Sequence, residues 1–257
     1  MGDTGGMKTR EVRRAVVTGA STGIGEATVR RLRAQGWEVT AVARRIMRLK
    51  TLAEETGCTY FAADLTDEEQ VAAMAADTLT LGPVDAVVNV AGGALGVEPV
   101  AEANVEHWTQ MYDRNVITAL QVTNAFLPGM RERGGDLVFL TSTAALDTYP
   151  GGAGYVAAKH AERMIPLTLR QELVGEPVRI IEIAPGMVRT PEFSLNRLGS
   201  AEAADKVYEG VAEPLVADDI ADAIVWALTR PAHVNIDQMV IRPRAQATNT
   251  LVARRKD

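Results

Sequence analysis

Short runs of apolar and β-branched residues recur along the chain, and between them apolar positions fall three and four apart. The short runs predict strands over 15–18, 38–43, 59–62, 86–90, 137–140, 179–183 and 238–241. The stretches between predict helices, among them 24–35, 66–75, 105–130 and 155–173. Gly36 is well placed to stop the first helix, and Thr66 followed by Glu69 reads as a capping box opening the second. Regular alternation of strand and helix predicts an α/β fold with a mainly parallel, seven-stranded sheet between two helical layers. Residues 189–213 lack strand character and carry mixed helical signal. In this architecture they lie where a lid over a substrate would be.

A chain of 257 residues, 47% hydrophobic and 23% charged, can bury a substantial core. No Ser/Pro-rich stretch, repeat or charge block divides it, so one domain is expected over 13–246, with an N-terminal extension (1–12) and a C-terminal tail (247–257). The polar, glycine-rich start reads as a disordered extension rather than a signal peptide. A net charge of -6 argues against nucleic acid as a partner, and the basic pieces at 10–14 and 254–256 read as solvated ends. The single cysteine, Cys58, cannot form an intrachain disulfide, which fits a reducing compartment. No apolar run approaches the ~20 residues of a membrane span. A soluble, cytoplasmic protein is therefore expected. His107, His160 and His233 are scattered without Glu or Cys at ligand spacing, so no metal site is expected.

Chemistry enters at two places. Residues 16–25 set Gly19, Gly23 and Gly25 between a buried strand and a helix. Glycines there let the backbone turn tightly against a pyrophosphate, while the helix N-terminus offers N–H groups and partial positive charge. The second place is Tyr155 and Lys159, one helical turn apart and on one face, with Ser142 thirteen residues upstream of the tyrosine. An ammonium beside a phenol favours the phenolate. Bringing a phenol from ~10 to roughly 7–8 takes about 3–4 kcal/mol, which one lysine and a positively charged oxidised nicotinamide could supply together.

The edge of the second strand reads Ala43-Arg44-Arg45, and residues 40–50 contain no Asp or Glu. Two guanidiniums suit a ribose 2′-phosphate, favouring NADP(H) over NAD(H); the alternative is that both decorate the start of a surface helix.

Together, Thr18-Gly19-x-x-x-Gly23-Ile24-Gly25, Asn89-Val90-Ala91-Gly92, Asn115, Ser142, Tyr155-x-x-x-Lys159 and Pro185-Gly186 resemble the short-chain dehydrogenase/reductase superfamily in order and spacing, over residues 14–246. The resemblance implies a single Rossmann-type doubly wound domain, a three-layer α/β/α sandwich. It implies hydride transfer between a nicotinamide and a carbonyl or alcohol carbon, with Tyr155 as acid or base, Lys159 tuning it and holding the nicotinamide ribose, and Ser142 holding the substrate oxygen. Asn115 would position a water linking Lys159 to solvent. Gly19 to Gly25, with Ser21, Thr22 and Ile24, would cradle the phosphates. Asp64, with Leu65 beside it, matches the family's contact to the adenine amino group; its rival role is a turn aspartate. Asn89, Ala91 and Gly92 would line the adenosine ribose, where Val90 departs from the family's second asparagine. Pro185, Gly186, Val188 and Thr190 would fix the carboxamide.

Residues 93–99, 192–197, 232–237 and 242–243 resemble the NADP-dependent serine/3-hydroxy acid dehydrogenases and malonic semialdehyde reductases, and 232–237 also resembles clavulanate dehydrogenase. A 3-hydroxy acid needs a cation for its carboxylate. Arg189 and Arg197 lie in the flap where one could reach the site, or both are solvated. A 3-oxoacyl thioester reductase or a broad carbonyl reductase would use the same catalytic residues, and a non-catalytic, cofactor-sensing regulator is the rival from another class. The family also implies a homotetramer or homodimer formed by pairing long helices. Ala153, Ala157, Ala158 and Ala161 would allow that approach, or pack on the sheet.

Overall fold

The computed structural model describes residues 12–255. The expected extension before Val12, and residues 256–257 of the expected tail, lie outside the described residues. Seven strands form one sheet: β1 (Arg14–Thr18), β2 (Glu38–Ala43), β3 (Thr59–Ala62), β4 (Ala86–Asn89), β5 (Gly135–Leu140), β6 (Val178–Pro185) and β9 (Gln238–Ile241). Their spatial order is β3-β2-β1-β4-β5-β6-β9 and every neighbouring pair is parallel. The order reverses between β1 and β4, which opens a crevice at the carboxyl ends of those strands.

The strands are apolar on both faces because helices cover both. Ala15, Val17, Val138, Ile181 and Ile183 pack on one side with Leu32 of α1 (Gly23–Ala34), Leu49 of α2 (Ile46–Thr56), and Ile220 and Ile224 of α9 (Ala217–Leu228). Val16, Leu137, Phe139 and Ile180 point the other way. They meet Met74 of α3 (Glu68–Thr80), and Val122, Phe126 and Met130 of α5 (Thr118–Arg133). Adjacent strand residues divide between the layers as the period of two requires.

Two local expectations are corrected. The cap of α3 is Asp67, whose carboxylate accepts from the Glu69 and Gln70 N–H groups. Thr66 instead donates its N–H and hydroxyl to Asp64. A carboxylate satisfies the free N–H groups and complements the helix dipole, so it displaces the threonine one position earlier. The expected helix over 105–130 runs as α4 (Val105–Tyr112), a π-helical turn (Asp113–Ile117) and α5. That one wide turn carries Asn115, and hydrophobic periodicity has no means of signalling an extra residue in a turn.

The remaining elements gather over the carboxyl edge of the sheet. Two short strands, β7 (Val188–Arg189) and β8 (Leu215–Val216), pair beside α7 (Phe193–Leu198) and α8 (Ala201–Lys206). Residues 243–255 fold back as a turn in which Ala253 N–H donates to the Ala245 carbonyl, and Arg255 N–H reaches the Gly210 carbonyl. The stretch expected to be a tail is thus attached to the flap.

The opposite edge of the sheet is closed by a buried ion pair. Arg179 donates two hydrogen bonds to the Asp136 carboxylate, at 2.6 and 2.7 Å, and one to the Leu228 carbonyl at the end of α9, at 2.9 Å. Asp136 also accepts from Arg13 at 2.7 Å, so removing Arg179 leaves the buried carboxylate with one partly exposed cation in place of two. Arg179→Leu should therefore cost about 3 kcal/mol in urea unfolding, the low end for breaking a buried pair, because Arg13 remains.

Candidate active site

The turn after β1 is built on backbone freedom. Gly19 and Gly23 have φ of +64° and +56°, the left-handed region that side chains disfavour. A Cβ on Gly25 would overlap the Gly19 carbonyl oxygen, so only glycine lets α1 approach the turn this closely. Thr22 precedes α1 without capping it through its side chain, so the first-turn N–H groups carry no side-chain acceptor. Thr18 accepts through its hydroxyl from the Val90 and Ala91 N–H groups, at 2.9 and 3.0 Å, tying the turn to the end of β4.

These elements wall one cavity of about 1160 Å³. Gly19, Ser21, Thr22, Gly23 and Ile24 line it, as do Arg44, Arg45, Asp64, Leu65, Ala91 and Gly92 at one end. Ser142, Tyr155, Lys159, Pro185, Gly186, Val188, Thr190 and Arg197 line the other. Four predicted residues do not. Gly25 and Asn89 are buried behind the wall, the latter donating to the Thr123 hydroxyl at 3.4 Å. Asn115 is fully buried, donating to the Gly93 and Met111 carbonyls and accepting from the Gly93 N–H. Its side chain thus braces the strand-to-loop segment that carries Gly92. Arg189, expected within reach of the site, instead pairs with Asp205 and lies over the Tyr208 ring.

Arg45 donates to the Ser21 hydroxyl and, at 2.7 Å, to Glu192, whose carboxyl that contact holds below its ordinary value. Asp64 plays the turn role, accepting from Thr66, while also lining the cavity. Burial pulls its carboxyl upward, but the Thr66 N–H and hydroxyl win and leave it low.

Tyr155 and Lys159 emerge from α6 (Ala153–Glu172), both buried. Ser142, at the end of β5, accepts from the Ala144 N–H, which leaves its own proton for a ligand. Lys159 Nζ donates to the Leu140 carbonyl at 3.0 Å and to Glu162 at 2.6 Å. The expected fall of the Tyr155 phenol toward neutrality is not produced by Lys159 alone. Burial raises the phenol above its ordinary value, and the ammonium only partly opposes it.

Several site residues were missed from sequence. Glu162 lies three residues after Lys159 and seven after Tyr155, so helical spacing would have found it. Tyr149, Phe193, Tyr208, Gln246 and Asn249 also line the cavity, and had no local signal. Phe193 meets Tyr155 edge-on with ring centres 5.6 Å apart. Gln246 accepts from the Met187 N–H, and Asn249 bonds the Thr143 hydroxyl and carbonyl beside Ser142. Arg197 spans the flap, donating to the Gly96 and Gly151 carbonyls and to the Tyr149 hydroxyl, at 2.9 to 3.1 Å.

A family model described as short chain dehydrogenase matches residues 13–198. An uncharacterized oxidoreductase of Mycobacterium tuberculosis is 55% identical over 236 residues, covering 91% of this chain and 92% of that one. Serine 3-dehydrogenase of Agrobacterium fabrum is 40% identical over 236 residues, covering 90% of this chain and 94% of its own. A solved structure, the closed form of serine dehydrogenase complexed with NADP+, superposes with a TM-score of 0.89 at 37% identity, covering 95% of this chain and all of that one.

The position of the Tyr155 phenol is open to direct measurement. In an ultraviolet titration of the cofactor-free protein, the tyrosinate signal lost in Tyr155→Phe should appear at higher pH than that of a free tyrosine. Ionisation near neutrality would show that burial does not dominate.

Proposed function

The chain belongs to the short-chain dehydrogenase family, and from that premise we propose an NADP(H)-dependent oxidoreductase that interconverts a small 3-hydroxy acid, such as serine, with its carbonyl form. The observation that carries this reading is a single cavity with two guanidiniums at one end and Ser142, Tyr155, Lys159 and a further guanidinium at the other. NADP(H) fits what is present. A Cβ on Gly23 would project toward Thr190 across the cradle, and the uncapped first turn of α1 is free to receive a pyrophosphate. Arg44 and Arg45 would hold the 2′-phosphate, Asp64 and Leu65 the adenine edge, and Val188 and Thr190 the carboxamide. Asn89, Ala91 and Gly92 would flank the adenosine ribose. When bound, the cofactor supplies or accepts the hydride.

The residues of this chain handle the proton and the charge. Tyr155 gives its proton to the carbonyl oxygen in reduction and takes it back from the alcohol in oxidation. The Ser142 hydroxyl donates to the same oxygen as charge builds on it. Lys159 is kept protonated because Glu162 and Tyr155 outweigh the pull of burial; it stabilises the phenolate and would hold the nicotinamide ribose. Arg197 is held by neutral acceptors, and no acidic side chain among the described residues pairs with it. Its uncompensated charge beside Tyr155 suits a substrate carboxylate, which favours small hydroxy acids and semialdehydes over long acyl thioesters.

The same reading has the protein acting in the cytoplasm as a homotetramer or homodimer. Ala158 packs inward against Tyr155 and Met111, whereas Ala157 and Met164 are exposed on the outer face of α6. Sedimentation velocity tests the assembly.

An NADPH-oxidation screen over small semialdehydes, oxoacyl thioesters and ketones, with NADP+-coupled serine oxidation as the reverse assay, tests the chemistry. Turnover of acetoacetyl thioesters without turnover of small hydroxy acids would select the oxoacyl reductase. Tyr155→Phe should lose roughly 10²–10⁴-fold in kcat. Arg197→Met should raise KM for carboxylate substrates by about tenfold, the equivalent of 1.4 kcal/mol, and leave neutral aldehydes unaffected. The paired Arg44→Ala and Arg45→Ala variant should weaken NADPH binding by roughly the same factor and spare NADH. Equal turnover of the wild type with both cofactors at limiting concentration would count against the preference.

A further inference from the structure

The ammonium of Lys159 is not presented to the cavity alone. Glu162 follows it by one helical turn, and the two side chains meet at 2.6 Å with 5% and 1% of their surfaces exposed. Two of the three Nζ donors are thereby taken, by Glu162 and by the Leu140 carbonyl, leaving one for the site. A carboxylate in such a place is expensive: an apolar side chain would pack on the sheet without any desolvation cost. A second buried carboxylate raises that cost. Glu182 of β6 is fully buried nearby and consumes the local cation, accepting from Arg163 at 3.1 Å, from the Thr141 hydroxyl at 2.8 Å and from Gln238 at 3.0 Å. Lys159 is therefore the only cationic partner of Glu162 among the described residues.

We infer that Glu162 is a positioning residue which draws the Lys159 ammonium back and offsets its charge, so that Tyr155 holds its proton more tightly and the site is biased toward carbonyl reduction. This rests on the reading of Tyr155 as the proton-transfer group. The groups facing the phenol pull in both directions. Lys159 lowers it, and the Ser142 hydroxyl lowers it slightly. Burial, Tyr149 and Glu162 raise it, while Arg197 lies 6.0 Å over the ring. Burial, helped by Glu182, pushes the Glu162 carboxyl up to about 7 against the pull of Lys159. Above neutrality Glu162 is thus ionised, which is the range in which Tyr155 would lose its proton, and its negative charge delays that loss. Alcohol oxidation, which needs the phenolate, is pushed to alkaline pH.

The test follows the phenol itself. In cofactor-free protein carrying ¹³C-labelled tyrosine rings, the Tyr155 resonance is assigned by its absence from Tyr155→Phe and titrated by NMR. Glu162→Gln should lower its midpoint by about one pH unit, the scale expected for removing one nearby buried charge. Glu162→Asp, which keeps the charge, should move it much less. Should Glu162→Gln fail to fold, Glu162→Leu, which suits the apolar side of the helix, supplies the neutral variant. An unchanged midpoint in the neutral variant overturns the role given to Glu162. Retention of turnover by Tyr155→Phe would instead overturn the assignment of the proton donor, so the two failures are separable.

Discussion

A parallel sheet covered on both faces must deliver all its carboxyl ends to one edge, and much of the cavity lining hangs from that constraint. The glycine turn leaves β1, the arginine pair leaves β2, Asp64 follows β3, and Ser142 follows β5. Pro185 ends β6 and begins the segment that carries Val188 and Thr190. Residues far apart in the chain become neighbours because their strands share a direction. The reversal of strand order between β1 and β4 then leaves room there for a ligand rather than a crossing connection.

Charges have been divided between the two edges by what each can tolerate. At the amino edge, Asp136 and Arg179 satisfy each other bidentately, and the arginine also terminates α9, so burial costs little beyond the desolvation their contact offsets. At the carboxyl edge the pairing is deliberately incomplete. Lys159 shares its charge between Glu162 and the cavity, and Arg197 is held only by carbonyls and a hydroxyl. A structure built only for stability would have given Arg197 an acidic partner as well. The positions where stability is forgone are the positions where a polar ligand would recover it.

The roof over this edge is assembled from segments with weak local preferences. Arg197 pins α7 to the loops at Gly96 and Gly151. Tyr208 bonds the Val188 carbonyl and Ser194, while the turn at residues 243–255 reaches back through Gln246 and Asn249. These are hydrogen bonds between short elements, each worth about 1 kcal/mol. The roof is thus held largely by polar contacts, in contrast to the apolar packing of the sheet beneath.

All seven strands of the sheet and the helices α1, α3, α4, α5 and α6 were read from the chain, because their side chains repeat with the periods that backbone geometry imposes, and three strands match to the residue; α2 and α9 were not named. The glycine turn and the Tyr155–Lys159 pair were legible for a similar reason: each is local, with all its members inside one turn. The π-helical turn at Asn115, the retreat of Arg189 to Asp205, the return of residues 246 and 249 to Ser142, and the raised phenol were decided only in three dimensions. Each depends on which distant groups share a low-dielectric space with the residue, and sequence order carries no distance of that kind. Glu162 stands between the two cases. Its place on the helix face was written in the spacing, but its charge became significant only when the sheet, Leu140 and Glu182 closed around Lys159.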